Sequence, residues 1–192
     1  MRKLALHMIT SADGIFSSEY SSVNPGTQWD EEVAQFYVDL FIKSGGIVFG
    51  RKLYDQYWGH WSRVASGEIP PETEHELRWT QRMMEMPKYV ISHSEPIAYG
   101  GETLGISGDV VAAIRKLKES PGADLLLMCG PSLLAELSRN RLIDEYMLYV
   151  CPNFLGHGRH LFGEIDEPVH LKVEQMVQFA SGMTLTRYHP LS

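Results

Sequence analysis

Apolar residues along this chain switch repeatedly between short runs and helical spacing. Residues 3–10 alternate, with Leu4, Leu6 and Met8 set against Ala5, His7 and Ile9, which predicts a strand inside a sheet. Ser11-Ala12-Asp13-Gly14 reads as a turn, followed by a polar loop to Trp29. From Asp30 onward, Val33, Phe36, Tyr37, Leu40 and Phe41 keep the i, i+3, i+4, i+7, i+8 spacing of an amphipathic helix. Thr27, three residues before Asp30, fits a capping box, and acids in the first turn suit the helix dipole. Gly45-Gly46 closes that helix, and Ile47-Val48-Phe49 is a short apolar strand. Residues 51–57 look like another helix start, and from Trp58 to Pro71 the pattern is lost.

The second half reads more cleanly. A helix is expected over about 72–85, ending before Pro87. Lys88-Tyr89-Val90-Ile91-Ser92 is a strand, and 93–108 a loop with room for one edge strand. Residues 109–119 form a helix with Val110, Ile114 and Leu117 on one face and Ser120-Pro121-Gly122 as its stop. Leu125 to Cys129 is a continuous apolar run, as expected of a strand covered on both faces. Pro131 suits a first helical turn and opens a helix to Arg139. Asp144 to Cys151 is a strand, and 170–179 with 183–189 flank Ala180-Ser181-Gly182 as a hairpin. Strands alternating with helices, then an antiparallel finish, predict an α/β fold with helices on both faces of a mostly parallel sheet.

Composition narrows the class. The 192 residues suit one domain spanning 1–192, with an ordinary 44% apolar and 21% charged content. A formal net charge of −7 argues against nucleic acid as partner. No apolar run is long enough for a membrane helix, and no signal-peptide pattern opens the chain. Cys129 and Cys151 sit in strand-like runs and read as reduced thiols, which points to the cytoplasm.

The candidate chemistry gathers at strand ends. No G-x-G-x-x-G follows the first strand, and Gly45 to Lys52 lacks the Lys and hydroxyl positions of a phosphate-binding P-loop. Three other segments look built for an anion. In Phe49-Gly50-Arg51-Lys52, glycine permits close backbone approach and two cations sit where a helix begins. Ile91-Ser92-His93-Ser94 places three hydrogen-bonding side chains after a strand. Cys129-Gly130-Pro131-Ser132 is again strand, glycine and helix start. Ligands of open α/β sheets bind beyond the carboxyl ends of the strands, where all three segments lie. Elsewhere His157 and His160 lack a carboxylate or thiolate nearby, so no metal site is expected. The serines lack the G-x-S-x-G context of a hydrolase. Trp58 and Trp61 are expected to pack rather than to stack a substrate.

Phe49-Gly50-Arg51-Lys52-Leu53-Tyr54, with Tyr57-Trp58 after it, resembles the G-R-x-T-[YW] segment of the dihydrofolate reductase family. It is especially similar to the branch that shares a fold with the reductase domain of the bifunctional riboflavin-biosynthesis deaminase–reductase. Ser11-Ala12-Asp13-Gly14, Gly130-Pro131-Ser132-Leu133 and the run from Leu142-Ile143-Asp144-Glu145 through Leu155-Gly156-His157-Gly158 and Leu161-Phe162 agree in order. The likeness covers about residues 2–188. It implies a three-layer dihydrofolate reductase-like fold, a sheet of about eight strands and an NADPH site. By position Gly50, Arg51 and Lys52 would meet the cofactor phosphates, Ser92 and His93 the adenosine end. Gly130, Pro131, Ser132 and Leu133 would cradle the pyrophosphate. Two departures stand out: Cys129 replaces a glycine whose bond to the next residue is cis in dihydrofolate reductases, and Leu53 replaces the usual threonine.

In dihydrofolate reductases an acid on the first helix meets the pteridine. Asp30, Glu31 and Glu32 compete for that part here, and Glu32, one turn before Phe36, is expected to point inward. Asp13 is the rival, as substrate contact or as a turn former. The resulting expectation is an NADPH-dependent reductase of a small pteridine- or ribosylaminopyrimidine-like heterocycle, possible as a homodimer. The alternatives are a dihydrofolate reductase proper and a non-catalytic nucleotide- or flavin-binding dimeric module.

Overall fold

The computed structural model describes residues 1–17, 30–93 and 101–191. Eight strands form one sheet in the order β5-β4-β3-β6-β1-β7-β10-β9. These are β1 (Leu4–Ser11), β3 (Gly46–Gly50), β4 (Lys88–Ile91), β5 (Thr103–Ile106), β6 (Leu125–Met128), β7 (Glu145–Cys151), β9 (Leu171–Gln178) and β10 (Thr184–Pro190). All neighbours from β5 to β7 run parallel, and β7, β10 and β9 pair antiparallel. The predicted parallel sheet with an antiparallel C-terminal hairpin is the observed one. The fully buried β6 pairs with β1 and β3, which is why its sequence is apolar without alternation.

Five helices cover the sheet: α1 (Glu31–Lys43), α2 (Arg51–Ala65), α3 (Glu74–Glu85), α4 (Val110–Glu119) and α5 (Pro131–Arg139). On one face of β1 and β7, His7 and Tyr149 meet Tyr37 and Phe41 of α1. On the opposite face Tyr146 of β7 shares a 3.0 Å hydrogen bond with Ser138 of α5. Burying each large apolar side chain of this core is worth roughly 1.5–3 kcal/mol.

Three local expectations are corrected. Thr27 lies outside the described residues, and the N-cap of α1 is Asp30, whose carboxylate accepts the amide of Val33 at 2.8 Å. Helix α2 continues to Ala65, because Tyr54, Tyr57, Trp61 and Val64 form a buried stripe that Gly59 and the polar residues between had masked. Trp61 packs edge-on against Trp79 at 4.5 Å. A two-stranded ribbon, β2 (Ile15–Ser17) with β8 (Arg159–His160), was not legible in the hydrophobic pattern.

Lys88 shows how a buried cation is satisfied. Its ammonium donates to the carbonyls of Met83, Met84 and Met86, closing the end of α3, and lies 4.9 Å from the Trp58 ring centroid. Burial pushes its pKa down to about 8.

Candidate functional site

Helix α2 begins directly at the end of β3, and α5 begins after the two residues, Cys129 and Gly130, that follow β6. Their N-caps are Gly50 and Gly130, neither of which offers a side chain to the free amides of the first turn. The other three helices are capped by Asp30, Thr73 and Asp109. Uncapped first-turn amides and the positive end of the helix dipole favour an anion, and here two such ends face one cleft. Neither glycine needs a positive φ. A Cβ on Gly50 would lie 3.4 Å from the Cβ of Cys129, so the two strand ends run close together. The Cys129–Gly130 bond is trans.

The cleft encloses about 690 Å³. Of the residues singled out from sequence, Gly50, Arg51, Lys52, Ser92, His93, Gly130, Ser132 and Leu133 line it. Pro131 is buried as the first residue of α5 and is not among them. Ser94 lies outside the described residues. The wall also includes Leu53 and Ile91, which belong to the segments picked out from sequence, and Phe16, Asp55, Gln56 and Arg159, which sequence reasoning had not singled out. Leu53 is explained by its place in the family-like segment. Phe16 and Arg159 come from the β2–β8 ribbon, and only their approach in space makes them neighbours.

Charge in the cleft is mainly positive. Arg51 stands 3.9 Å from Asp55, a loose i,i+4 pair on an exposed helix face. The His93 ring nitrogen Nε2 is 2.8 Å from Oε2 of Glu136 on α5. Ser92 is buried, and its amide donates to the Ile106 carbonyl at 2.9 Å.

The two candidate acids lie elsewhere. Glu32 is exposed rather than inward, because Val33, Ala34, Tyr37 and Val38 carry the buried face of α1. Its carboxylate accepts the Ala180 amide at 3.3 Å, in the turn between β9 and β10, and borders a second groove with Phe36 and His75. Asp13 does not line the cleft either. The Ser11 hydroxyl and the amides of Gly156 at 2.8 Å and Leu155 at 3.2 Å all donate to it. These bonds, that of Ser11 foremost, hold its carboxyl down to about 2. Asp13 therefore ties the turn after β1 to the loop after β7.

Among the described residues, one His/acid group has metal-like spacing: Glu145, Glu174 and His189. Its members are already engaged, Glu145 with Arg187 and His189 with both Glu174 and the Asp144 carbonyl. No helix of the described residues is long and apolar enough to cross a membrane.

Comparison with known proteins agrees with this fold. The family model described as the RibD C-terminal domain matches residues 2–185. The Bacillus subtilis protein YyaP is 28% identical over 98% of this chain and 95% of its own length. A deaminase/5-amino-6-(5-phosphoribosylamino)uracil reductase from Thermotoga maritima superposes with a TM-score of 0.63 at 15% identity, covering 99% of this chain and 57% of that one. Dihydrofolate reductase from Enterococcus faecalis, complexed with NADP(H), superposes with a TM-score of 0.61 at 15% identity over 99% and 97% of the two chains.

Proposed function

The chain belongs to the RibD C-terminal domain family, and from that premise we propose that it is an oxidoreductase binding NADPH and passing hydride to a small heterocycle. The observation that carries this reading is the pair of uncapped helix starts in one cleft, α2 with Arg51 and Lys52, and α5 from the neighbouring strand. A dinucleotide phosphate presents two separate anionic groups, the pyrophosphate and the ribose 2′-phosphate, and the cleft offers two separate places for them.

In this reading the amides of α5 after Gly130 hold the pyrophosphate, and Arg51 with Lys52 holds the 2′-phosphate. Ser92 and His93 flank the adenosine. When bound, the reduced nicotinamide supplies the hydride, and the protein's contribution is orientation and electrostatics. Asp13 stays charged through neutral pH and serves as an anchor, and Glu32 holds the hairpin turn. The substrate class is a pteridine- or ribosylaminopyrimidine-like ring, by analogy with the reductases of this fold. We further propose a homodimer through edge strand β9, whose Val173 and Met176 are exposed.

A second reading, a nucleotide-binding module without catalysis, is favoured by one observation: neither candidate acid lines the cleft. Two measurements test the proposal. Fluorescence titration with a chelator present should show saturable NADPH binding, and the chain should oxidise NADPH above background with a pteridine, flavin or pyrimidine acceptor. Binding without turnover selects the module. No saturable change up to millimolar cofactor overturns both.

A further inference from the structure

Arg159 holds an unusual electrostatic position. It lies on β8, and its Nη2 is 4.0 Å from where a Cβ on Gly130 would stand, beside the uncapped start of α5. A guanidinium beside the positive end of a helix is repelled unless an anion sits between them. Among the described residues its closest carboxylate, on Glu164, is 3.9 Å away, with both side chains about half exposed. The Phe16 ring supports it from beneath, with the guanidinium carbon 5.6 Å from the ring centroid.

The backbone holds this arrangement from two sides. Ribbon pairing sets Ser17 opposite Arg159 and Ile15 opposite His160, and the Leu161 amide donates to the Gly14 carbonyl at 3.0 Å. Upstream, Asp13 grips the amides of Leu155 and Gly156. Between these ties, Gly156 at φ +75° and Gly158 at φ +139° let the chain turn so that Arg159 faces the cleft.

We propose that Arg159 clamps the pyrophosphate of the bound dinucleotide against the N-terminus of α5, with Asp13 as the positioning residue for the loop that presents it. The inference rests on the dinucleotide reading above and adds a ligand contact from the β2–β8 ribbon. An anion between guanidinium and helix start resolves the repulsion, and it closes the ribbon over the cofactor. A planar guanidinium also matches phosphate geometry in two parallel hydrogen bonds, which an ammonium cannot reproduce.

Calorimetric titration of the full chain with NADPH, ADP-ribose and 2′-AMP separates the possibilities. ADP-ribose carries the pyrophosphate without a 2′-phosphate, and 2′-AMP the reverse. Arg159→Gln should weaken NADPH and ADP-ribose at least tenfold and leave 2′-AMP unchanged. Arg159→Lys should recover only part of the loss. Asp13→Asn should show a smaller loss of the same selectivity, and faster hydrogen exchange at Leu155 and Gly156. Unchanged ADP-ribose affinity in Arg159→Gln, or an equal loss for 2′-AMP, overturns the clamp. So does an effect confined to the KM of a substrate, which would assign the guanidinium to an anionic group of that substrate. If the unchanged chain binds none of the three, the dinucleotide reading fails and the clamp with it.

Discussion

His93, in the cleft wall, meets Glu136, Nε2 to Oε2 at 2.8 Å, joining the loop after β4 to the second turn of α5. The pair sets a carboxylate at the end of the cleft that the proposed reading gives to adenosine. A carboxylate there repels a 2′-phosphate and accepts a hydrogen bond from a free ribose hydroxyl. Glu136→Gln should therefore raise the ratio of NADPH to NADH affinity several-fold, and His93→Gln should lower it. Dissociation constants for both cofactors check this, and an unchanged ratio in both variants places the ribose elsewhere.

Arg51→Ala should weaken NADPH with little change in melting temperature, because its ion pair with Asp55 is long and exposed. A charge-assisted phosphate contact is worth roughly 1.5–3 kcal/mol, or about 10- to 150-fold in affinity. The loss should be large for 2′-AMP and small for ADP-ribose, opposite to that expected of Arg159→Gln.

His7 makes the fold acid-sensitive. It is buried among Tyr37, Phe41 and Tyr149, and neither ring nitrogen has a hydrogen-bond partner among the described residues. Burial pushes its pKa from 6.5 down to about 3. Below pH 6.5 the unfolded chain takes up a proton that the folded chain refuses until about pH 3. Stability is thus full above pH 6.5 and falls with pH across that window, by about 2 kcal/mol at pH 5. His7→Leu should flatten the melting temperature between pH 6.5 and 4, above the range where Asp13 and Asp30 titrate. An identical acid slope in the variant sinks the assignment.

Gly45 and Gly59 should respond to alanine in opposite directions. A Cβ on Gly45 would lie 2.6 Å from the Ala123 carbonyl oxygen, a backbone atom with little freedom to yield. Gly45→Ala should cost about 1–3 kcal/mol. Gly59, within α2, has nothing within 4 Å of its Cβ position, and alanine there should stabilise by about 0.5–1 kcal/mol. Thermal denaturation of the two variants reads the signs directly.

Local information was enough for most of the architecture. Leu125 to Met128 could only be an interior strand, and the Val33 to Phe41 spacing only one face of a helix, because burial repeats with the geometry of each element. Glycine directly before a helix likewise marks an uncapped end, so the open helix starts after Gly50 and Gly130 were legible from sequence. Tertiary structure alone decided what those ends meet. Phe16 and Arg159 are 143 positions apart and are joined by a ribbon of only five residues, too short to leave a periodic signal. Asp13 and Glu32 carry the residue type of an acid catalyst, yet whether a carboxylate faces a cleft or a distant backbone amide depends on where Leu155, Gly156 and Ala180 arrive. Periodicity records which side of an element is buried. It holds no record of which remote loop returns to that side, since this is set by packing across the whole sheet.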